Sequence, residues 1–329
     1  MKAVVVRAFG GPEALAVEER PDPVAGPGEV LVRVGAVAVN FVDSVVITGR
    51  YQFSPALPFT PGKGPAGTVA AVGDGVAGFA VGDRVLAMAE IGGYAELALA
   101  PADQCYALPP AMSFADAAAM SLAYDTAWFG LHERGRLQRG ETVLVLGATG
   151  AVGFAAMQLA RAAGARVLAG VSSMAKAELA REGGADAVID LGADGLRDGL
   201  RDQVHAATGG EGADVVLDML GGDIFDAALR AVAWRGRVVV IGFAAGRIPS
   251  VKVNYLMVKN IEVSGLQISD YRKRQPTLVR RCFEEVFALF EDGRVGAPAT
   301  RCFGLADAGE ALAAMLDRSV RERVLLLPG

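Results

Sequence analysis

The sequence predicts an α/β protein in which a doubly wound parallel sheet is inserted into a second, β-rich domain. Before about residue 120, short runs of alternating apolar and polar residues are separated by glycine and proline. From about residue 124 to 266, strand patterns alternate with helix patterns, which is typical of a parallel sheet with helices on both faces. After Ile268 this alternation stops. We therefore expect residues 1–122 to begin the β-rich domain, residues 123–268 to form the inserted domain, and residues 269–329 to return to the first domain.

The β-rich part is predicted from runs in which every second side chain is apolar, the pattern of a strand with one buried face. The clearest runs are Glu29–Val39, Gly67–Val72 and Arg84–Met88. The first residues, Met1–Val6, predict a further strand and not the apolar segment of a signal peptide.

The inserted domain is predicted from apolar runs of strand length, each followed by a longer segment with helical spacing. The predicted strands are 142–147, 166–171, 187–190, 214–218, 237–242 and 261–265, and the predicted helices are 152–163, 174–182, 196–207 and 223–232. The tail predicts a helix at 276–291, a strand at 300–303, a helix at 307–316 and a final strand at 323–327.

A glycine-rich turn lies between the first strand and the first helix of the inserted domain. The strand Thr142–Leu146 is followed by Gly147, Gly150 and Gly153, and an alanine-rich helix comes next. Such glycines let the backbone approach a pyrophosphate, and the helix N-terminus supplies free N–H groups for it. An ordinary strand-to-helix turn is the alternative. The residues predicted to bind the dinucleotide here are Gly147, Thr149, Gly150, Ala151, Val152 and Gly153.

The end of the second strand indicates which dinucleotide binds. NAD sites usually place Asp or Glu there for the adenosine ribose 2′-hydroxyl. This chain has Ser172, Ser173 and Lys176 instead, and the first carboxylate is Glu178. Hydroxyl donors and a positive charge suit a 2′-phosphate, so the sequence favours NADPH. Alternatively, Ser173 only caps the next helix and Lys176 is solvated.

Composition excludes several other classes of protein. A net charge of −5 disfavours a general nucleic-acid-binding protein, and no apolar run is long enough to span a membrane. The three cysteines, Cys105, Cys282 and Cys302, form neither a C-x-x-C motif nor a disulfide framework. We therefore expect a cytoplasmic protein.

With these motifs in place, the chain resembles the medium-chain dehydrogenase/reductase superfamily, in particular its zinc-free quinone oxidoreductase (zeta-crystallin-like) branch. The resemblance covers essentially the whole chain. It implies a GroES-like substrate domain and a Rossmann NADPH-binding domain, with the cofactor between them. The residues that carry it are Asn40–Asp43, Gly49–Tyr51, Pro61–Gly67, Val81–Val85, Ala123–Ala127, the 147–153 turn, Ile241–Pro249 and Leu256–Asn260.

The resemblance also bears on metal binding. Zinc alcohol dehydrogenases of this superfamily have a cysteine ligand at the position of Asn40 and a histidine ligand at the position of Lys63. Asn is a poor zinc ligand and a protonated Lys cannot coordinate a metal, so we expect no metal site. Two further positions depart from the family pattern. Gly64 stands where a glutamate is usual, and Leu191 stands where relatives that bind the 2′-phosphate often have tyrosine.

Two side chains are candidates for the chemistry. Asn40 is predicted to bond the nicotinamide ribose or the substrate carbonyl, although a turn Asn that satisfies the backbone is the alternative. Tyr51 is a candidate donor of a hydrogen bond or a proton to the substrate oxygen, or else part of a cleft wall.

Four more residues are expected to lie against the nicotinamide. Thr126 is placed there by the resemblance and is interpreted as opening a helix; a helix cap is its alternative role. The backbone of Gly242, Phe243 and Ala244 follows a late strand of the sheet, where small residues allow close approach.

The function that follows is zinc-independent hydride transfer from NADPH to a quinone. An enone or 2-enoyl-thioester reductase is one alternative, and a non-enzymatic cofactor-binding structural or RNA-associated protein is another. The expected partner is a small-molecule quinone or activated alkene, with no nucleic acid and no membrane. The basic residues Arg272–Arg274, with Arg280 and Arg281, are interpreted as solvated or as a site for a phosphate-bearing substrate. A homodimer is expected, paired through an edge strand at Val251–Val258.

Overall fold

The structure is a computed structural model that describes residues 1–317 and 320–329. The chain forms two compact units. The first contains Met1–Leu122, Arg272–Glu291 and Gly296–Gly329, and the second contains Ala123–Tyr271 and Asp292–Val295.

Strands and helices are numbered along the chain. The strands are β1 Lys2–Val6, β2 Leu15–Glu19, β3 Glu29–Ala38, β4 Ala66–Val72, β5 Arg84–Ala87, β6 Leu97–Pro101, β7 Cys105–Ala107, β8 Thr142–Leu146, β9 Arg166–Val171, β10 Ala187–Asp190, β11 Ala213–Asp218, β12 Val232–Val240, β13 Glu262–Gly265, β14 Thr300–Gly304 and β15 Arg323–Leu327. The helices are α1 Phe41–Ile47, α2 Phe114–Trp128, α3 Ala151–Ala162, α4 Ala177–Glu182, α5 Leu196–Ala207, α6 Gly222–Ala231, α7 Val253–Lys259, α8 Ile268–Arg274, α9 Pro276–Glu291 and α10 Ala308–Leu316.

The first unit is built on a seven-stranded, mainly antiparallel sheet. Its order is β14–β15–β3–β4–β5–β7, and β6 also pairs with β3, while β1 and β2 form a separate hairpin. The C-terminal strand β15 pairs with β3, which ties the tail of the chain to its first part. Helix α9 packs through buried side chains at three- and four-residue spacing, as an amphipathic helix requires.

The second unit contains a six-stranded parallel sheet in the order β10–β9–β8–β11–β12–β13. The strand order reverses between the central strands β8 and β11, so the topological switch point of this doubly wound sheet lies at their carboxyl ends. The side chains of Val143–Leu146 in β8 are completely buried, as expected for a central strand covered on both faces. The predicted parallel α/β architecture is confirmed.

Most predicted elements are found within a few residues of their expected limits, but one is wrong. Residues 251–258 do not form an edge strand, because helix α7 occupies Val253–Lys259. The backbone of Asn260 is left-handed, with φ of 52°, and its N–H bonds the end of this helix as a C-cap. An eight-residue apolar pattern is too short to separate strand from helix by its period. The edge strand is β13 instead.

Strand β12 begins five residues earlier than the predicted start at residue 237, directly after α6. Trp234 is exposed and Arg235 has a positive φ of 63°. This irregular start interrupts the alternation on which the prediction depended. In the described part of the chain, no helix combines the length and the apolar character needed to cross a bilayer.

Candidate cofactor and active site

Three of the segments predicted to bind the cofactor lie at the carboxyl edge of the parallel sheet in the second unit. Strands β8, β9, β11 and β12 all end at this edge, so the loops that follow them are neighbours. The N–H of Gly147 donates to Gly170 O at 3.1 Å, and the N–H of Gly242 donates to Asp218 O at 3.2 Å. The structure therefore brings the glycine turn, the end of β9 and the loop after β12 to one side of the sheet.

The glycine turn is closed tightly against the start of α3. A Cβ on Gly153 would lie 2.3 Å from Gly147 O and 2.7 Å from Ala148 Cα, so only glycine fits there. Gly150 is the N-cap residue of α3, has extended backbone and has no side chain to cap the helix. Gly150 is also exposed. The first turn of α3 thus offers backbone N–H groups and a positive dipole end to an anion, which is what a pyrophosphate requires.

The end of β9 carries hydroxyl groups and one positive charge. Lys176 Nζ donates to Ser172 Oγ at 3.2 Å, and Ser173 Oγ accepts the N–H of Ala175 at 3.3 Å. Ser173 is therefore the N-cap of a short 3-10 turn at Met174–Lys176, as its alternative interpretation held, and its side chain is also exposed. Leu191 is buried in the core of this unit and adds no polar group to the surface at the end of β9.

Asp218, at the end of β11, fixes the loops at the centre of the edge and was missed in the sequence. Its carboxylate accepts the N–H groups of Leu220 and Gly221, both at 2.9 Å. Burial raises the pKa of Asp218, and these two backbone donors partly offset that rise. The loop after β12 is tied to the same turn, because Ala244 N donates to Met219 O at 3.1 Å. Phe243 in that loop is exposed.

Thr126 does not open a helix, so that expectation was wrong. It lies in the last turn of α2, where its buried Oγ1 donates to Asp125 Oδ1 at 3.3 Å. In the same helix, the Tyr124 hydroxyl accepts a bond from Gln158 Nε2 at 3.1 Å. The helix extends back to Phe114 because the alanine-rich stretch before Thr126 is a strong helix former.

In the first unit, Asn40 is the buried N-cap residue of α1. Its Nδ2 donates to Ala38 O at 3.0 Å, and its Oδ1 accepts a bond from Arg323. Its backbone N–H donates to Asp43 Oδ2 at 2.8 Å, which completes a capping box. The amide is therefore held in one orientation by the strand before it and by the C-terminal strand β15.

Asp43 and Tyr94 continue this buried network. The Tyr94 hydroxyl donates to Asp43 Oδ2 at 2.9 Å. Burial raises the pKa of Asp43, which is offset in part by the bonds from Asn40 and Tyr94 and by the charge of Lys63. Burial also raises the pKa of Tyr94 well above its ordinary value and lowers the pKa of Arg323. The hydrogen bonds of the Asp43 carboxyl group thus support the local fold of α1.

Tyr51 packs at the rim of the apolar core that contains α1, and a lysine lies over its ring. Lys63 Nζ is 5.6 Å from the Tyr51 ring centroid and forms an ion pair with Glu90. Glu90 also accepts a bond from Arg272 at 3.0 Å. Arg272 is completely buried, so its interpretation as solvated was wrong, whereas Lys273, Arg274 and Arg281 are exposed.

Gly64, at the position where the resemblance implied a glutamate, has little room for a side chain. Its φ is +64°, and a Cβ there would lie 3.0 Å from both Cβ and Oγ of Ser121. The carboxylate next to Lys63 comes from Glu90 instead, in the segment after β5. Among residues 1–317 and 320–329, no three His, Cys, Asp or Glu side chains lie together as a metal-binding group.

Comparisons with known proteins agree with this geometry. Residues 26–110 match the alcohol dehydrogenase GroES-like domain, and residues 151–285 match the zinc-binding dehydrogenase family. The quinone oxidoreductase-like protein 2 homolog of Nematostella vectensis is 36% identical over 99% of this chain and 88% of its own length. A quinone oxidoreductase of Pseudomonas aeruginosa is 34% identical over 99% of both chains. The chain belongs to the quinone oxidoreductase branch of the medium-chain dehydrogenase/reductase superfamily.

A solved structure extends the comparison to the whole fold. Escherichia coli quinone oxidoreductase complexed with NADPH is 29% identical, with a TM-score of 0.92 over 100% of both chains. The family resemblance and the fold class, a Rossmann sheet with a GroES-like domain, are thereby confirmed. The chain is an oxidoreductase of the medium-chain superfamily.

Proposed function

We propose that this medium-chain oxidoreductase is a zinc-independent NADPH:quinone oxidoreductase. In this proposal the second unit binds the cofactor, and the first unit supplies Asn40 and Tyr51 to the substrate. The observation that carries it is the polar end of β9, where Lys176 and Ser172 stand in place of an acid. The similarity to quinone oxidoreductases, one of them solved with NADPH, supports it.

The residues at the sheet edge fit NADPH. The N-terminus of α3, from Gly150 to Gly153, would hold the pyrophosphate by its backbone N–H groups. Ser172, Ser173 and Lys176 would hold the 2′-phosphate, since both serines are exposed, Lys176 is half-buried beside them, and only Lys176 carries a charge. Thr126 and the backbone of residues 242–244 remain the proposed contacts to the nicotinamide.

Zinc independence is supported by the contacts of Asn40 and Lys63. The Asn40 carbonyl oxygen, its best potential ligand atom, accepts a bond from Arg323. The Lys63 ammonium is paired with Glu90 and has no lone pair for a metal. Both side chains are held in hydrogen bonds or ion pairs within the protein. A zinc ion bound by them would be repelled by the positive charges of Arg323 and Lys63.

NADPH, when bound, supplies the hydride for the reduction. The protein must then stabilise the negative charge that develops on the substrate oxygen. The Tyr51 hydroxyl is the proposed donor to that oxygen, and the Asn40 amide nitrogen, which carries a second N–H, is a proposed hydrogen-bond donor nearby. A hydroquinone anion is also readily protonated by water, so a quinone makes a smaller demand on the protein than an alcohol would.

The test is NADPH oxidation measured in parallel with quinones, enones and crotonyl-type thioesters, with and without a strong chelator. We expect the highest kcat/KM with a quinone and no loss of activity in chelator. A preference for enones or thioesters would reassign the substrate class. Stoichiometric zinc by elemental analysis, with activity lost on its removal, would overturn zinc independence. No oxidation with any acceptor would favour a non-enzymatic cofactor-binding role.

A further inference from the structure

Lys63 is a charged side chain buried in the first unit. Only 2% of it is exposed, so it does not serve solubility. Its ammonium is fixed on one side by the ion pair with Glu90 and lies over the ring of Tyr51 on the other. A buried ammonium is costly unless its surroundings compensate for lost water. The position of Lys63 therefore calls for an explanation beyond packing.

Glu90 holds Lys63 in place but is shared with a second cation. One carboxylate oxygen bonds Lys63, and the other bonds Arg272 at 3.0 Å. Because each oxygen serves a different cation, the negative charge of Glu90 is divided between Lys63 and Arg272. Arg272 is itself buried, so the pair is anchored at both ends. Lys63 is thus a positive charge of fixed position next to an aromatic ring.

We infer that Lys63 is a positioning residue that acts through Tyr51, by stabilising the phenolate that remains when Tyr51 gives its proton to the substrate. The consequence for turnover rests on the proposed function, whereas the electrostatic coupling of Lys63 to Tyr51 does not. In the step, bound NADPH would supply a hydride to the substrate and be left as NADP⁺, and an electron pair would move onto the substrate oxygen. The Tyr51 O–H bond breaks, its proton goes to that oxygen, and water later reprotonates the phenolate.

Other charged groups also bear on this site. Asp43, in α1, interacts with the charge of Lys63 and accepts a bond from Tyr94. Glu90, after β5, contributes negative charge, and Arg272, in α8, contributes positive charge. Lys63 lies over the Tyr51 ring, with its Nζ 5.6 Å from the ring centroid. A change at Lys63 is therefore expected to act on Tyr51.

The first experiment titrates Tyr51 in the whole protein without substrate. Tyrosines are labelled with 13C at the ring carbon that bears the hydroxyl, and Tyr51→Phe assigns the signal. We expect Lys63→Met to move the titration midpoint of Tyr51 to higher pH, and Lys63→Arg to restore it most of the way. Glu90→Gln removes a negative charge and should move the midpoint to lower pH. An unchanged midpoint in both Lys63→Met and Glu90→Gln would overturn the inference.

A matched control exists at Lys273, whose Nζ lies 5.6 Å from the ring centroid of Phe53. Lys273 is exposed, so Lys273→Met removes a cation–π contact of the same length without removing a buried charge. We expect it to leave the Tyr51 midpoint in place. A shift as large as that in Lys63→Met would show that loss of any nearby charge moves it, and would also overturn the inference. If Lys63→Met does not fold, Lys63→Arg and Glu90→Gln still give the required comparison.

The second experiment measures turnover with NADPH and the best quinone. We expect Lys63→Met to lower kcat about tenfold, a part of the roughly 10²- to 10⁴-fold that a positioned proton donor contributes, with NADPH affinity unchanged. The pH at which kcat changes should shift in the same direction as the titration midpoint of Tyr51. Turnover by wild type that is unaffected by Lys63→Met would overturn the role in catalysis. Absence of turnover in wild type would refute the proposed function, and the titration would still decide whether Lys63 is coupled to Tyr51.

Discussion

Lys176 is the charged side chain at the end of β9, where a dinucleotide-binding domain selects between its two cofactors. It donates to Ser172 Oγ, and both residues lie in the segment that directly follows β9, where Ser172 is exposed and Lys176 is half-buried. Ser173 is partly committed to its turn, because its hydroxyl accepts the N–H of Ala175. Most of the preference for a 2′-phosphate is therefore expected to come from Lys176.

Lys176→Ala is expected to weaken NADPH binding and leave NADH binding nearly unchanged. A charge-assisted bond contributes roughly 1.5–3 kcal/mol, or about ten- to a hundredfold in affinity. The effect should lie toward the lower end, since the buried Leu191 adds no second polar group. Ser173→Asp should do more, because it adds repulsion.

Titration with each cofactor, followed by intrinsic fluorescence, tests this prediction, with Lys252→Ala as the control at an exposed lysine of the same unit. Equal weakening of NADPH and NADH by Lys176→Ala would contradict it, as would equal affinity of wild type for both.

The three cysteines differ in exposure, and this predicts their reactivity. Cys105 and Cys282 are buried and Cys302 is exposed on β14. Burial raises the pKa of the Cys105 thiol to about 12, so it is almost entirely protonated at pH 8. We expect a disulfide reagent to modify one thiol per native chain, and none after Cys302→Ser. Modification of a second thiol in the native chain would contradict the burial of Cys105 and Cys282.

At the scale of elements, the end of α6 is closed by a lysine from α7. Lys259 Nζ donates to Arg230 O at 3.0 Å and to Val232 O at 2.6 Å, and it lies 3.3 Å from Leu229 O. Leu229 O and Arg230 O belong to the last turn of α6, where carbonyls lack a partner within the helix and the helix dipole places negative charge, and Val232 O lies just beyond it at the start of β12. Helix α7 is thus attached to the sheet unit by this ammonium as well as by Leu256, which packs on the core.

Lys259→Met should lower the free energy of unfolding by about 1.5–3 kcal/mol, the usual contribution of a hydrogen bond that involves a charged group. Methionine keeps the length and apolar stem of the side chain, so the change reports on the ammonium. Urea unfolding followed by circular dichroism measures it, and Lys252→Met, at an exposed neighbour, is the control. A loss no larger than in the control would show that solvent replaces these bonds.

At the scale of the whole molecule, the second unit has an open sheet edge next to an apolar helix. Strand β13 pairs with β12 on one side and is the last strand of the sheet. On α7, Val253 and Met257 are each 74% exposed, and Val258 is 70% exposed. Open strand edges and clustered apolar side chains both favour association. The proposed homodimer is therefore assigned to β13 and α7 and no longer to an edge strand at 251–258.

The double variant Val253→Glu, Met257→Glu is expected to convert the proposed homodimer into a monomer without unfolding it, because both side chains are exposed. Light scattering after size exclusion measures the mass at micromolar concentration. Val24→Glu, at a valine of the first unit that is 84% exposed, should leave the mass of a dimer. A wild-type mass of one chain would refute the dimer, and a dimeric double variant would refute this surface.

Local patterns were sufficient for most of the fold because the information they carry is local. In the 142–153 segment, a strand, a turn and the start of a helix are predicted from residue types that are close together in the sequence. The tail helix at 276–291 is predicted from apolar residues that recur at helical spacing over a long segment. Short segments failed where contact with the rest of the molecule decides the conformation. Helix α7 is an example, since its ends are fixed by Asn260 and by Lys259 bonding the distant α6.

The sequence by itself determined the two kinds of domain and the glycine turn after β8. It also determined that Lys176, and not an acid, follows the end of β9. Each of these depends on residue types at fixed short spacing. The tertiary structure alone decided that Arg323 orients Asn40, 283 residues away, and that Glu90 joins Lys63 to Arg272, 182 residues beyond Glu90. The physical reason is that a buried charge must be paired, and its partner is chosen by proximity in the folded chain, which no local pattern encodes.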